Sequence, residues 1–200
     1  IPVQVGANWF NTKDTIKRMR YARDKGADAV QICFPGWMEM RQADYDQFLV
    51  DCYEAVPDIA IIHYNISRTK KVFFAEDYLR VKDRVPTMIG TKAAMPFNNY
   101  IELMVRVPGI NHFVGESYFA LAHQLGCKGM YTSWTMMNPT FFKNYYQLCV
   151  DGRYAEAVLA ILHEAHAAGV GRDGGRVDPQ LARHSGDDLL PPVAEAVGEG

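Results

Sequence analysis

Short apolar runs alternate along this chain with stretches whose apolar residues recur every three or four positions. Residues 2–5 read as a short buried strand and Gly6-Ala7-Asn8 as the turn after it. Thr12 then has the side chain of an N-cap for a helix over 14–24, in which Ile16, Met19 and Ala22 share one face. Lys25-Gly26 supplies the cation and glycine that commonly close a helix. The same alternation then repeats. Strands are expected at 29–34, 60–64, 88–91, 111–114 and 129–133, and helices at 43–55, near 75–82, and at 97–105, 118–125 and 139–150.

Strand-then-helix units joined by short connections predict an α/β fold with a parallel sheet. Two architectures fit, an open doubly wound sheet or part of an eight-stranded (β/α) barrel. No GxGxxG follows the first strand and no GxxxxGK[ST] occurs, which disfavours a nucleotide-binding version.

Composition adds two constraints. With 48% hydrophobic and 22% charged residues in 200, the chain can bury a core. A net charge of −2 gives no reason to expect nucleic acid, and the apolar runs are too short for a membrane span, so a cytoplasmic protein is expected. Cys33, Cys52, Cys127 and Cys149 are too dispersed for a disulfide framework and read as reduced core residues. The charge is uneven, however. Residues 1–162 carry +2, whereas 163–200 carry −4 with 7 Gly and neither lysine nor aromatic residue. A globular body over 1–162 followed by a divergent, glycine-rich acidic tail over 163–200 is therefore expected.

In parallel α/β folds the functional groups gather at the C-terminal ends of the strands. That rule selects Asn8, Trp37, Tyr64, Asn65, Arg68, Lys92, Gly115, Glu116 and residues 131–133. Lys92 ends the run Met88-Ile89-Gly90-Thr91. An ammonium in such a place is costly unless it is paired or deprotonated, and a neutral amine can attack a carbonyl to form a Schiff base. A strand-end lysine can equally reach solvent or a carboxylate. Tyr64 could shuttle protons or serve as an amphipathic core residue. Arg68, near Lys70 and Lys71, suits a carboxylate-bearing substrate or simply a solvated basic loop. His163-Glu164-Ala165-His166 is not HExxH and has no evident third ligand, so no metal site is expected. The aromatic clusters around Trp9-Phe10, Phe73-Phe74 and 141–146 read as core or subunit-interface residues.

Several segments together resemble the dihydrodipicolinate synthase / N-acetylneuraminate lyase family of class I aldolases. They are Gly6-Ala7-Asn8, Lys25-Gly26-Ala27-Asp28-Ala29, Tyr64-Asn65-Ile66-Ser67-Arg68-Thr69, Ile89-Gly90-Thr91-Lys92, Val114-Gly115-Glu116 and Gly126-Cys127-Lys128-Gly129. Their order and the 28 residues from Tyr64 to Lys92 make the match specific. The resemblance implies a (β/α)8 TIM barrel opening at strand three, without the first two β/α units. It implies that Lys92 forms a Schiff base with pyruvate or another 2-oxo acid, that Tyr64 shuttles protons, and that Gly115 and Tyr131 line the pocket. It implies no metal or organic cofactor, an aldehyde as second substrate, and a homotetramer. A dehydratase of a 2-keto-3-deoxy sugar acid and an inactive barrel fragment are the alternatives.

The departures from the family pattern are specific. The loop after Tyr64 is one residue shorter and lacks the family's proline, which displaces Arg68. Gly36-Trp37 stands where synthases carry a tyrosine pair, and Ala93 follows the lysine in place of an acidic residue. Trp37 and Met38 at the pocket rim favour a more apolar acceptor aldehyde.

Overall fold

The computed structural model describes residues 1–167, and the remainder of the expected tail lies outside them. Six strands form one sheet in chain order: β1 (Gln4–Gly6), β2 (Ala29–Ile32), β3 (Ala60–Asn65), β4 (Met88–Ala93), β5 (Asn111–Gly115) and β6 (Met130–Tyr131). Every neighbouring pair is parallel, as the strand-helix alternation predicts. Between them run α1 (Thr12–Asp24), α2 (Gln42–Ala55), α3 (Ala75–Val81), α4 (Phe97–Arg106) and α5 (Glu116–Gln124). Residues 1–133 form one compact unit, and a second begins at Trp134. No helix among the described residues is long and apolar enough to cross a membrane.

The helix-facing side of the sheet holds the core. Phe34 is its centre, with ring centroids of Tyr45, His63 and Phe73 at 4.8, 4.5 and 4.7 Å. Val30, Ile32, Ile61 and Met88 pack there with Met19, Phe48 and Leu49 of the helices. Phe73 joins this core, while neighbouring Phe74 stays on the surface.

Several expectations need correction. Asn11, not Thr12, caps α1: its side-chain oxygen accepts from the Asp14 amide at 2.8 Å and its amide donates to the Asp14 carboxylate. Asparagine holds both an acceptor and a donor, so it reaches the helix end twice, where threonine has one hydroxyl. The first strand is exposed at all three residues rather than buried, because no other strand among the described residues covers its outer edge. The last strand is only two residues long, and α5 starts at Glu116, directly after the strand that feeds it.

β4 carries the feature that positions the candidate lysine. Ile61 pairs with Met88, but Ile62 pairs with Gly90, so Ile89 is an extra residue, a β-bulge. Because side chains alternate along a strand, one extra residue moves everything after it to the opposite face. Met88 lies in the helix-facing core. Without the bulge Lys92, four residues on, would point there too. With it, Thr91 faces the helices and bonds His112 at 2.9 Å, and Lys92 turns to the inner face.

The second unit is described by itself. A 3₁₀ turn (Trp134–Met136) leads to α6 (Pro139–Val150), capped by Asn138, and then to α7 (Tyr154–Ala167). Asn138 also donates to Glu164 at 3.0 Å, and Phe142, Tyr145, Cys149, Ala157 and Ile161 are buried. The helix continues past residue 162.

Candidate active site

The inner face of the sheet is polar at its centre. Gln31 and Gln4 are joined by a 3.1 Å hydrogen bond, and the Tyr131 hydroxyl donates to Gln4 Oε1 at 2.7 Å. Phe113 lies against Tyr131 at 5.3 Å and fills the space left by Gly90 and Gly129. A Cβ on either glycine would stand within 3.0 Å of the Phe113 ring.

Lys92 stands in this setting. β3 and β4 pair Tyr64 with Lys92, and the Lys92 ammonium nitrogen lies 4.6 Å from the Tyr64 ring centroid. The ring of Tyr131 is 4.5 Å away. Two aromatic faces therefore flank the amine, each within cation–π range. Among the described residues no carboxylate pairs with it, so the carboxylate-paired option open to a strand-end lysine is not taken here. The hydroxyls differ. That of Tyr131 is committed to Gln4, and its ionisation is pushed up by burial, partly offset by that hydrogen bond. That of Tyr64 has no hydrogen-bond partner among the described residues.

Gly115 ends β5 beside Tyr131, and a Cβ built on it meets nothing within 4 Å, so open space lies over its backbone. Lys92, Tyr64, Tyr131 and Gly115 thus share one face and one region of it.

Arg68 and Trp37 sit apart from the lysine cluster. Arg68 lies in the 3₁₀ turn after β3 (Ser67–Thr69), exposed, and lines a cavity of about 350 Å³ with Asn8, Trp9, Phe10, Cys33, Phe34, Gly36 and Thr69. Trp37 is 77% exposed and meets Phe10 edge-on at 6.5 Å, outside the residues that line this cavity. Trp9 and Phe10 belong to the same rim rather than to the core.

Two positions hold this geometry, Asn65, which the strand-end rule selects without giving it a role, and Gln4, which sequence reasoning passed over. Asn65 is fully buried, and its side chain donates to the Phe73 carbonyl at 2.7 Å and accepts from the Phe73 amide at 2.9 Å. It fastens both ends of the loop that carries Arg68. Gln4 is the other. A glutamine inside each of the apolar runs around residues 4 and 31 was the available signal.

The model of the dihydrodipicolinate synthetase family matches residues 1–167. The chain belongs to this family. Over 203 aligned residues it is 29% identical to the 4-hydroxy-tetrahydrodipicolinate synthase of Rhizobium meliloti, covering 96% of this chain and 69% of that protein. It is 32% identical over 92 residues to the trans-O-hydroxybenzylidenepyruvate hydratase-aldolase of Sphingobium xenophagum, with 46% and 28% covered. Among solved structures it resembles YagE, a prophage protein of the dihydrodipicolinic acid synthase family from E. coli K12 in complex with pyruvate. The TM-score is 0.77 at 18% identity, covering 86% of this chain and 61% of that one. That likeness carries the fold. The chain thus spans between about a quarter and about two thirds of these proteins' lengths. Within the dihydrodipicolinate synthetase family, the motif segments quoted above fall on β1 and the turn after it, the α1–β2 connection, β3 and its loop, β4, the β5–α5 junction and the α5–β6 connection.

Proposed function

We propose that this dihydrodipicolinate synthetase family chain is a Schiff-base-forming carbon–carbon lyase acting on pyruvate or another 2-oxo acid. The observation that carries the reading is the Lys92 amine, flanked by Tyr64 and Tyr131 on the inner face and without a carboxylate partner among the described residues. The uncharged amine attacks the keto carbon, and loss of water leaves an iminium, which draws electrons from the adjacent carbon. Loss of a proton there gives an enamine. In the synthetic direction its carbon bonds to an aldehyde carbon, the aldehyde oxygen takes a proton, and water then restores the ketone and the free amine. Cleavage runs the same steps backwards.

Tyr64 is the proton carrier in this reading, because its hydroxyl is uncommitted while that of Tyr131 is engaged. Gly115 and Tyr131 border the 2-oxo acid, and Arg68 adds positive potential nearby. The chemistry asks for no metal or organic cofactor, since the iminium is the electron sink. An aldolase is preferred to the dehydratase alternative because the relatives named above are a synthase and a hydratase-aldolase. The pyruvate carried by the YagE neighbour points to the same substrate class.

The reading extends to the whole protein. The six strands stand for strands three to eight of a (β/α)8 barrel within residues 1–162, with a divergent tail beyond. The protein works in the cytoplasm as a homotetramer, for which exposed Trp37 and Met38 supply apolar surface.

Borohydride reduction in the presence of pyruvate, followed by intact mass and peptide mapping, tests this. One reduced pyruvate adduct on Lys92 is expected, absent in Lys92→Arg, which keeps the charge between the rings but forms no imine. In Tyr64→Phe the adduct should form, while aldol turnover falls by about 10²–10⁴. No adduct at saturating pyruvate overturns the proposal.

A further inference from the structure

Two tyrosines flank the lysine, and distance does not choose between them. The Lys92 nitrogen lies 4.6 Å from the Tyr64 ring centroid and 4.5 Å from that of Tyr131. Either phenol has the chemistry to carry a proton. Only their hydrogen bonds differ. The Tyr131 hydroxyl donates to Gln4 Oε1 at 2.7 Å, whereas that of Tyr64 has no partner among the described residues.

The direction of the Tyr131 bond is set from behind. Gln4 pairs with Ala29, and Gln31 stands two residues further along β2, so the two glutamines share one face. The Gln4 side-chain nitrogen donates to Gln31 Oε1 at 3.1 Å. A side-chain amide carries its donor and its acceptor on separate arms. With the nitrogen turned to Gln31, Gln4 shows Tyr131 an oxygen, which can only accept. Tyr131 therefore spends its proton on Gln4. The ring is held as well: Phe113 meets it at 5.3 Å and 67°, and Gly115, its partner in the sheet, adds no side chain to push it aside. Burial pushes the ionisation of this phenol up, with the Gln4 bond offsetting part of the effect, so Tyr131 keeps its proton.

We infer that Gln4, oriented by Gln31, is a positioning residue that withholds Tyr131 from proton transfer and leaves it to Tyr64. The inference rests on the Lys92 reading above and adds the residue that decides between the two tyrosines. A carrier passes its own proton to water as its oxygen takes one from the methyl carbon of the pyruvate iminium. The C–H electrons become the enamine double bond, and the C=N pair returns to nitrogen. Tyr131 cannot begin this step while its proton points at Gln4. Without Gln4 its hydroxyl is left beside the amine with no acceptor, an unfavourable state that serving the substrate on Lys92 relieves.

Pyruvate alone supplies the test. Exchange of its methyl hydrogens in D2O is followed by proton NMR and divided by the fraction of chain that borohydride traps with pyruvate. Tyr64→Phe should slow exchange per trapped site by about 10²–10⁴. In the Gln4→Leu background the same change should cost about ten-fold less, because Tyr131 takes over, and adding Tyr131→Phe should remove that recovery. Gln4→Glu keeps an acceptor for the Tyr131 proton, so it should keep the full cost of Tyr64→Phe. Gln31→Leu lets the Gln4 amide turn its nitrogen to Tyr131; it should act as Gln4→Leu does and replaces it if that variant fails to fold. A merely structural Gln4 changes the number of competent sites, which the trapped fraction cancels. An equal cost of Tyr64→Phe with and without Gln4 overturns the positioning role even when the adduct forms. No adduct in the native chain overturns the Lys92 reading instead, and the positioning role with it.

Discussion

The hydroxyl of Tyr131, on the last strand of the sheet, donates to the side-chain oxygen of Gln4 on the first, 127 positions away. Six strands laid flat at about 4.8 Å would separate these strands by about 24 Å. A 2.7 Å bond between them means that the sheet is curled, with Tyr64, Lys92 and Tyr131 inside the curl. Curling is what brings the Tyr131 ring onto Lys92. Gln4→Leu and Tyr131→Phe should each lower unfolding stability by about 1 kcal/mol. A double-mutant cycle from urea midpoints should give a coupling of about 0.5–1.5 kcal/mol. Additive effects would mean that the bond does not hold the curl in solution.

Asn65 closes the loop that bears Arg68 by pairing with both the amide and the carbonyl of Phe73. Asn65→Ala leaves both groups buried without partners, at about 1–3 kcal/mol each. The expected result is a drop in denaturant midpoint together with faster hydrogen exchange confined to residues 65–74. Asn65→Asp keeps the acceptor for the Phe73 amide and loses only the donor to the carbonyl, so it should fall between the native chain and Asn65→Ala. Exchange unchanged in Asn65→Ala would show that the loop is held by something else.

The strand-helix order was legible in the sequence because periodicity of two and of 3.6 is imposed by burial, and each unit here buries one face. The inner face was less legible. Lys92 and Tyr64 could be found from their positions at strand ends, but their common face depends on the Ile89 bulge, a one-residue shift that no apolar pattern marks. Gln4 and Asn65 act through partners 127 and 8 positions away. Trp37 reads as a rim residue from chain order, and it stands exposed next to Gly36, on which the turn after β3 packs.

Two buried histidines set the acid response. His63 shares a 2.9 Å hydrogen bond with the Tyr78 hydroxyl, and burial pushes its pKa down to about 3. His112, bonded to Thr91, is pushed down to about 4, again chiefly by burial. At pH 7 both are neutral in the folded state and mostly neutral in the unfolded one, so they contribute little to the pH dependence there. Below the unfolded value of about 6.5 the unfolded chain binds protons that the folded chain refuses, and stability falls as pH falls. Between about pH 6 and 4.5 unfolding should take up about two protons through these groups, a slope of about 2.7 kcal/mol per pH unit. His63→Phe should be less stable at pH 7, because it orphans the Tyr78 hydroxyl, but should show about half that slope. A native slope near zero in this window would mean that both histidines can charge inside the fold.

Phe113 is the floor on which the flanked lysine rests, and two glycines make room for it. Its ring lies 3.0 Å from where a Gly90 Cβ would stand and 2.8 Å from that of Gly129, closer than carbon atoms normally approach. It touches Tyr131 at 5.3 Å, so displacing it moves one of the two rings that flank Lys92. Gly90→Ala and Gly129→Ala should therefore each cost about 1–3 kcal/mol by overpacking. Both should also slow trapping of pyruvate at Lys92, although neither residue need touch substrate. Phe113→Leu placed in the Gly90→Ala background shortens the floor and should recover part of both losses. Recovery of stability without recovery of trapping would separate packing beneath the site from the position of Tyr131. Gly90→Ala behaving as the native chain in both measurements would show that the ring yields freely, and that the glycines are not what seats it.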